Sequence, residues 1–379
     1  MFEIIEEPKY VAKLKLVGVG GAGCNTINFA ADSAVRGVET IAINTDVQVL
    51  AKNRAPIKVQ IGDKLTKGLG AGGDPEIGRK AAEESRERIR ELLQDADMVF
   101  LTCGEGGGTG TGATPIFAEE AKNLGAMVVG IVTKPWDFEG KKRMDNAIWG
   151  IEELRVRVDT LIVVSNQRLL SVVARNMPVE EAFRYGNEIL FNSIKGIAEM
   201  ITSPGIINLD FADVKTIMSE KGTAVMGMGI AENENRAIEA ATKAISSPLL
   251  DDLSIKGARG LLINVAGGDD LSLFDVNEAA SMIVASAGGE PIIISGLSKD
   301  PALTGKVKVT VIATGLKDRA LPAPTEIPDL GAFPQTPAKD SLERPTFIRL
   351  ERQVRPEAKK LDIDESNLEI PTFLRKQID

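Results

Sequence analysis

Short apolar runs alternate with longer helix-like stretches through the first half of the chain. The runs lie at residues 14–19, 40–44, 98–103, 127–133 and 161–164. Uninterrupted apolar runs of this length, separated by stretches such as 75–93, are typical of parallel strands joined by crossover helices. The pattern therefore predicts an α/β fold with a doubly wound, Rossmann-like parallel sheet. Ligands of such sheets bind at the carboxyl ends of the strands.

The second half of the chain begins with a long amphipathic segment at residues 178–202. Ser203, Pro204 and Gly205 follow directly, and residues of this kind end helices. The segment is predicted to be a central helix that connects two domains. Beyond it we expect a smaller C-terminal α/β domain, with strands at 223–231, 260–266, 291–295 and 306–313 and helices at 235–246 and 275–288.

The pattern changes again after residue 315. Residues 316–367 contain seven prolines and many charges but few large apolar side chains, which predicts a disordered tail. Near its end lies an apolar cluster, which is either a docking peptide or a frayed terminus. The predicted organisation is a domain at 1–177, a connecting helix at 178–203, a second domain at 204–315, a linker at 316–367 and a terminal peptide at 368–379.

The amino-acid composition excludes several kinds of reaction mechanism and metal site. The 379 residues include no histidine, which excludes Ser-His and Cys-His mechanisms and most zinc sites. Hydrolysis would then depend on carboxylates, backbone donors and a hard cation such as Mg²⁺. The net charge of −9 disfavours a nucleic-acid partner, and no stretch predicts membrane insertion. The first residues lack a signal-peptide pattern, and the two cysteines indicate reduced thiols in a cytoplasm.

Two glycine-rich loops are candidate phosphate sites. Residues 104–112 hold six glycines in nine positions, between an apolar run and a helix start, which is typical of a phosphate cradle. The other loop, Gly18-x-Gly20-x-x-Gly23, also fits a dinucleotide-binding oxidoreductase, with Glu39 as its ribose contact. A dinucleotide has little need for a second cradle, whereas a nucleoside triphosphate gives both loops a partner.

The motifs occur in a family order. Residues 106–112, Gly-Gly-Gly-Thr-Gly-Thr-Gly, resemble the signature of the tubulin superfamily. With residues 18–25 and 208–213, the chain resembles the FtsZ family of bacterial cell-division GTPases from about Tyr10 to Gly315, and again at the C-terminus. The resemblance implies GTP and GDP as ligands, Mg²⁺ on the phosphates rather than on protein side chains, and assembly of the chain with itself into head-to-tail filaments. It also implies a midcell location and membrane-tethering partners that bind from Glu369 to Asp379.

The resemblance implies a set of nucleotide contacts. They are Gly20, Gly21, Ala22, Gly23, Cys24, Asn25, Gly72, Gly104, Gly107, Gly108, Thr109, Gly110, Thr133, Glu139, Arg143, Asn166, Phe183 and Asn187. Glu139 would contact the ribose, and Phe183 would stack on guanine. The helical pattern alone instead places Phe183 in the core. The chain departs from the usual family residues at Trp136, at Asn187 and at Asp74. For Asp74 the alternative to a place near the phosphates is a helix cap, with Pro75 as the next residue.

Asn208, Asp210 and Asp213 are the candidate catalytic residues. By resemblance they form the loop that completes the catalytic site of a neighbouring subunit, where carboxylates orient the attacking water. The alternative is structural, with Asp210 as a helix cap and Asp213 in the first turn. A GTP-binding scaffold without hydrolysis stays open, as does the oxidoreductase. The stretch from Pro345 to Arg349 nearly repeats that from Pro371 to Arg375, by chance or as a second docking peptide.

Overall fold

The first six strands in the computed structural model are hydrogen-bonded in parallel pairs, as the apolar runs predict. Residues 12–32, 35, 37–170, 173–174, 176–202, 210–220, 222–247, 250 and 254–316 are described by the structure. Residues 317–379, which hold the terminal peptide and all but the first residue of the predicted linker, lie outside this part of the chain, and so do residues 203–209, including Asn208. The described residues all fall in one compact unit, Met1–Arg319.

The parallel strands occupy one half of a ten-stranded sheet of order β3-β2-β1-β4-β5-β6-β7-β10-β8-β9. They are β1 (Leu14–Val19), β2 (Val38–Asn44), β3 (Ile57–Gln60), β4 (Met98–Gly104), β5 (Met127–Lys134) and β6 (Thr160–Ser165). Strand order and parallel pairing together confirm the predicted fold class.

The other half of the sheet is mixed. It contains β7 (Thr223–Glu232), β8 (Gly260–Gly267), β9 (Ile292–Lys299) and β10 (Lys306–Leu316). Strand β10 is antiparallel to both β7 and β8, whereas β9 is parallel to β8. The two halves meet between β6 and β7, where Ile162 and Ala224 form the pair in register.

Helices cover both faces of the ten-stranded sheet. The described helices are α1 (Gly20–Asp32), α2 (Val47–Lys52), α3 (Asp63–Thr66), α4 (Pro75–Glu84), α5 (Arg86–Leu93), α6 (Thr109–Asn123), α7 (Lys141–Arg155), α8 (Asn166–Leu169), α9 (Val179–Thr202), α10 (Phe211–Met218), α11 (Arg236–Ile245) and α12 (Leu273–Ala287). None of them is both long and apolar enough to cross a bilayer.

The predicted helix at 75–93 is interrupted. Ser85 ends α4, and its hydroxyl accepts a hydrogen bond from the backbone N–H of Gly62 at 3.1 Å. This contact with a residue distant in sequence fixes a non-helical Ser85, so the helical pattern continues as α5. The prediction of one helix was therefore wrong because a tertiary contact overrides local preference.

Helix α9 is the predicted central helix, and it packs against both halves of the sheet. Its buried Leu190, Ile194 and Ile197 belong to a core cluster that also contains Leu16 of β1 and Ile312 of β10. A second cluster fills the opposite face of the parallel half, beneath α4 to α7. A third lies beneath α11 and α12.

Candidate functional site

The two glycine loops meet at the carboxyl ends of β1 and β4. These strands are neighbours in register, with Val19 opposite Cys103, so the loops that follow them start side by side. Gly20 has a φ of +73°, and a Cβ placed on it would lie 2.8 Å from the backbone nitrogen of Gly110. Only glycine tolerates both this conformation and this close approach. The start of α1 and the start of α6 therefore form a single concave surface.

A third glycine turn, residues 70–73, closes one side of this surface. A Cβ on Gly108 would lie 2.9 Å from the backbone nitrogen of Asp74, so the turn packs directly on the cradle. Asp74 caps α4 by accepting a hydrogen bond from Glu76 N at 2.9 Å, and Pro75 is the first helical residue. The capping role proposed for Asp74 from sequence is confirmed.

Between the loops and α9 lies a cavity of about 290 Å³. Ten of the predicted nucleotide contacts line it, namely Gly21, Ala22, Asn25, Gly104, Thr133, Glu139, Arg143, Asn166, Phe183 and Asn187. A smaller cavity of about 180 Å³ is lined by Gly107, Gly108, Thr109 and Gly110, and it shares Gly21, Ala22, Gly104 and Arg143 with the first. The two form one cleft, whose size falls in the usual range for small-molecule sites, roughly 300–1,000 Å³.

Aromatic side chains line one end of the cleft. The Trp136 ring lies 6.0 Å from the Phe183 ring, nearly edge-on at 74°, and is stacked on Phe138 at 18°. Phe183 is 45% exposed, so the alternative that assigns it to the core is wrong. Asn187 follows it by one helical turn on α9, and Asn166 begins α8 directly after β6. This end combines a flat apolar surface with two carboxamides, which suits a planar heterocycle with polar edges.

An ion pair separates the aromatic end from the glycine end. The Arg143 Nε lies 2.9 Å from Oε2 of Glu139, and Oε1 of Glu139 accepts a hydrogen bond from the backbone N–H of Trp136 at 3.0 Å. Glu139 therefore holds both Arg143 and the loop that carries Trp136. The guanidinium stands at the junction of the two cavities, where it can contact an anion.

Four of the predicted contacts line neither cavity. Gly20 and Gly23 bring backbone segments together, and Gly72 lies between Ala71 and Gly73, which do line the smaller cavity. Cys24 is fully buried and its thiol donates to the Ile43 carbonyl at 3.5 Å. Burial raises the pKa of Cys24 to about 11, so the thiol stays neutral and faces the core rather than the cleft.

Three residues that shape the cleft are not among the predicted contacts, although Trp136 was noted as a departure from the family and Glu105 lies in the predicted cradle. The Thr45 hydroxyl lies 2.7 Å from that of Thr109, and both are buried. Trp136 and Glu105 line the cleft although each is at most 4% exposed. A polar residue directly after a predicted strand was a usable signal for Thr45, since ligands bind at that end of the sheet.

The candidate catalytic carboxylates lie elsewhere. Asp210 caps α10 by accepting a hydrogen bond from Ala212 N at 3.3 Å, and Asp213 stands in the first turn, as the structural alternative predicts. Both are exposed, and neither lines the cleft. Phe183 and Asn187 belong to the first turns of α9, whereas Asp210 follows its last residue, Thr202, along the chain. A helix of 24 residues is about 36 Å long.

The described residues bring together no cluster of three or more Asp, Glu, Cys or His side chains suited to a metal ion. Mg²⁺ commonly keeps several waters and binds substrate phosphates through few protein ligands, so the absence of such a cluster among these residues is compatible with it.

Comparisons with known proteins agree on one family. Residues 13–174 match the model of the Tubulin/FtsZ family GTPase domain, and residues 222–317 match that of the FtsZ family C-terminal domain. The chain is 45% identical over 392 residues to a Cell division protein FtsZ of Coxiella burnetii, with 99% of each chain covered.

Solved structures give the same result. An empty FtsZ dimer from M. jannaschii matches with a TM-score of 0.78 and 46% identity, covering 82% of this chain and 90% of that one. The GDP-bound monomer of CetZ1 from Haloferax volcanii matches with a TM-score of 0.70, covering 81% of this chain and 95% of that one. At 23% identity, the second match supports the fold alone.

Proposed function

The chain belongs to the tubulin/FtsZ family of GTPases, in the branch named for cell division, and from this premise we propose that it hydrolyses GTP between the subunits of a head-to-tail filament. Membership confirms the family predicted from the glycine and aspartate motifs. It also implies that the chain binds guanine nucleotides. The nucleotide position, the shared catalytic site and the filament are the proposal.

Guanine would occupy the aromatic end of the cleft, between Phe183 and the carboxamides of Asn166 and Asn187. The ribose would lie near Glu139, and the phosphates would extend past Arg143 into the smaller cavity. Backbone N–H groups at the start of α6 suit phosphate oxygens, because the helix dipole there favours negative charge. Bound Mg²⁺ would neutralise charge that develops on the phosphates.

One observation carries the proposal of a shared catalytic site. Hydrolysis of a γ-phosphate needs a group that orients water. The carboxylates among the described cleft residues are Glu139, which is paired with Arg143, and Glu105, which is buried. Asp210 and Asp213 are exposed carboxylates outside the cleft of their own molecule. A second subunit that presents its α10 to the cleft would supply what the first lacks.

Such a contact uses two different surfaces of the same protein. Heterologous contacts of this kind propagate into filaments unless their rotation closes a ring. A relative of 46% identity is described as a dimer, which supports self-association. The resulting polymer would form the division ring at midcell in the cytoplasm. Membrane-tethering and regulatory proteins would bind residues 369–379, which follow the predicted linker at 316–367.

Two alternatives to a GTPase were left open by the sequence, an oxidoreductase and a GTP-binding scaffold without hydrolysis. The oxidoreductase is excluded by the family, and its ribose candidate Glu39 pairs instead with Lys15 at 3.2 Å. The non-hydrolysing scaffold is an outcome of the experiment below.

Two defective variants test the shared site directly. Asp210→Ala keeps an intact cleft but lacks one catalytic carboxylate, whereas Arg143→Ala keeps both carboxylates but has an altered cleft. Each variant alone should therefore release little phosphate from GTP. In an equal mixture that co-assembles, one interface in four pairs an intact cleft with intact carboxylates, and about a quarter of the wild-type rate returns. The double variant, mixed with wild type, is the control for dilution. No recovery in filaments that contain both variants would contradict a shared site, and wild-type filaments that release no phosphate would support the scaffold.

A further inference from the structure

Glu105 is the ionisable residue inside the glycine cradle, and it has no role in the proposed mechanism. It stands between Gly104 and Gly106 in a loop that otherwise offers backbone donors. Its own backbone N–H donates to the Thr133 carbonyl at 2.9 Å, which ties the cradle to β5. Although it lines the cleft, the residue is only 2% exposed. A carboxyl group is therefore buried directly beneath the proposed phosphate site.

The carboxyl group fills a space between α6 and α7. A Cβ on Gly150 of α7 would overlap with both Oε2 of Glu105 and the side chain of Thr111 on α6. The Thr111 hydroxyl in turn accepts a hydrogen bond from the backbone N–H of Gly106 at 2.8 Å. Glu105 is thus wedged among the elements that fix the shape of the cradle.

The surroundings favour the neutral acid. Oε1 accepts a hydrogen bond from the Cys103 thiol at 3.3 Å, the Thr111 hydroxyl is the other donor beside the carboxyl group, and Oε2 has no hydrogen bond of ordinary geometry among the described residues. An ionised carboxylate with so few donors is costly to bury. Burial raises the pKa of Glu105 to about 7 and raises that of the neighbouring Cys103 thiol well above its ordinary value.

Charged neighbours do little to offset this. Around Glu105, β4 presents the neutral Cys103, α6 presents Thr111, β5 presents Thr133 and α7 presents Gly150. The nearby cation on α7 is Arg143, whose backbone packs on Gly106 and whose guanidinium pairs with Glu139.

We propose that Glu105 is a positioning residue of the phosphate cradle that favours nucleotide in its protonated form, so that binding of a guanine nucleotide takes up a proton. The inference rests on the proposed placement of phosphates at Gly107–Gly110. Phosphate oxygens there would repel a carboxylate two residues away in a medium of low dielectric constant. Binding of nucleotide and protonation of Glu105 are then linked. If bound nucleotide favours the protonated acid, ionisation of the acid must weaken nucleotide binding by the same factor.

Titration calorimetry with GDP and Mg²⁺ tests this without hydrolysis. Binding is measured from pH 6.5 to 8.5, and at pH 7.5 in two buffers of different ionisation enthalpy. Glu105→Gln retains the shape and hydrogen bonds but cannot ionise, and it supplies the baseline for titration of GDP itself. We expect the Kd of the wild type to rise about fivefold more than that of Glu105→Gln over this range, below the ceiling of tenfold per pH unit for one proton. The wild type should also take up more protons than the variant at pH 7.5.

Glu120→Gln is the matched control, because Glu120 is a buried acid on α6 that pairs with Arg86 at 2.6 Å, away from the cleft. It should retain the wild-type pH slope. Equal slopes and equal proton uptake in wild type and Glu105→Gln would overturn the inference. If that variant does not fold, Glu105→Met replaces it, and a wild type that takes up no proton overturns the inference without any variant. Failure of the proposed nucleotide site is distinguished by Arg143→Ala, which would then bind GDP as tightly as wild type.

Discussion

The parallel half and the mixed half of the sheet use the same building blocks and arrive at different surfaces. In the parallel half, β1, β4, β5 and β6 end at the same edge, so the loops that follow them converge on one cleft. In the mixed half, β10 runs against β7 and β8, so successive loops are divided between the two edges. Strand direction therefore decides where a ligand site can form, more than helix or strand content does.

The two halves also differ in the chemistry that they expose. The cleft presents glycine backbone, carboxamides and Arg143, which suit an anion, and the two carboxylates among its described residues are the buried Glu105 and the paired Glu139. Helix α10, which packs on β8 and β9, carries the exposed Asp210 and Asp213. In the proposed mechanism the parallel half binds the nucleotide and the mixed half supplies the catalytic carboxylates, which is the arrangement expected of a site completed by a second subunit.

The largest effect is expected where the cleft itself is blocked. Thr109→Glu places a bulky anion inside the cradle and removes the hydroxyl contact with Thr45. We expect nucleotide affinity to fall by about 100-fold or more, since repulsion between like charges in a buried site is strong, and polymerisation to be lost with it. Equilibrium binding of labelled GTP measures the loss, and Thr109→Ser, which keeps the hydroxyl, is the control. Unchanged binding by Thr109→Glu would mean that the cradle holds no phosphate.

Substitution of Asp210, beside the mixed half, should leave nucleotide binding by the parallel half unchanged. Asp210→Ala should bind GTP normally and form long-lived filaments, while phosphate release falls by about 100-fold, the scale of one group that acts in general acid–base catalysis. The variant should also poison wild-type turnover in mixtures. It loses a helix cap as well, which costs about 1 kcal/mol.

Asp210→Asn separates these two roles, because asparagine caps helices as well as aspartate does but carries no charge. We expect it to melt like the wild type and to hydrolyse as poorly as Asp210→Ala. Near-normal turnover in Asp210→Asn filaments would leave Asp210 with the capping role alone.

The buried acid of the cleft should also affect stability. Glu105 has a folded-state pKa raised from 4.5 to about 7. Between these values the unfolded chain loses the proton that the folded chain keeps, so stability falls as the pH rises through this window and is level above it. Glu105→Gln removes this loss. The free energy of unfolding of Glu105→Gln relative to wild type should therefore be higher at pH 8 than at pH 4, by roughly 3 kcal/mol. Urea unfolding at both pH values measures the difference, and an equal effect of the substitution at both would contradict it.

The smallest effect on GTP hydrolysis is expected from the terminal peptide. Removal of residues 369–379 should leave GTPase activity and assembly intact, because neither half of the shared site lies there. If the repeat from Pro345 to Arg349 is a second docking peptide, two copies on one chain raise avidity for the tether through effective concentration, and the truncated chain keeps only the weak binding of the remaining copy. Adding Phe347→Ala then abolishes that binding in a pull-down, whereas equal binding by both chains means that the repeat is chance.

Sequence alone predicted what depends on periodicity and on local backbone chemistry. The parallel strands, the long α9 and the caps at Asp74 and Asp210 follow from apolar runs and capping preferences. The four-residue β3 was missed, because a run that short carries no clear period. The break at Ser85 was missed as well, since it depends on Gly62, 23 residues earlier in the chain.

The candidate site divides in the same way. The glycine loops were found because close approach of backbone requires glycine at fixed positions. The exposure of Phe183, the inward direction of Cys24 and the burial of Glu105 depend on which residues the fold places opposite each side chain. No local pattern carries that information.

The central claim is that neither half of the molecule hydrolyses GTP without its counterpart on another subunit. The most direct test measures the GTPase rate per subunit as a function of protein concentration. A shared site predicts almost no turnover below a threshold concentration, followed by a rise that coincides with the appearance of filaments in light scattering. A rate per subunit that is constant from well below that threshold to well above it would contradict the account.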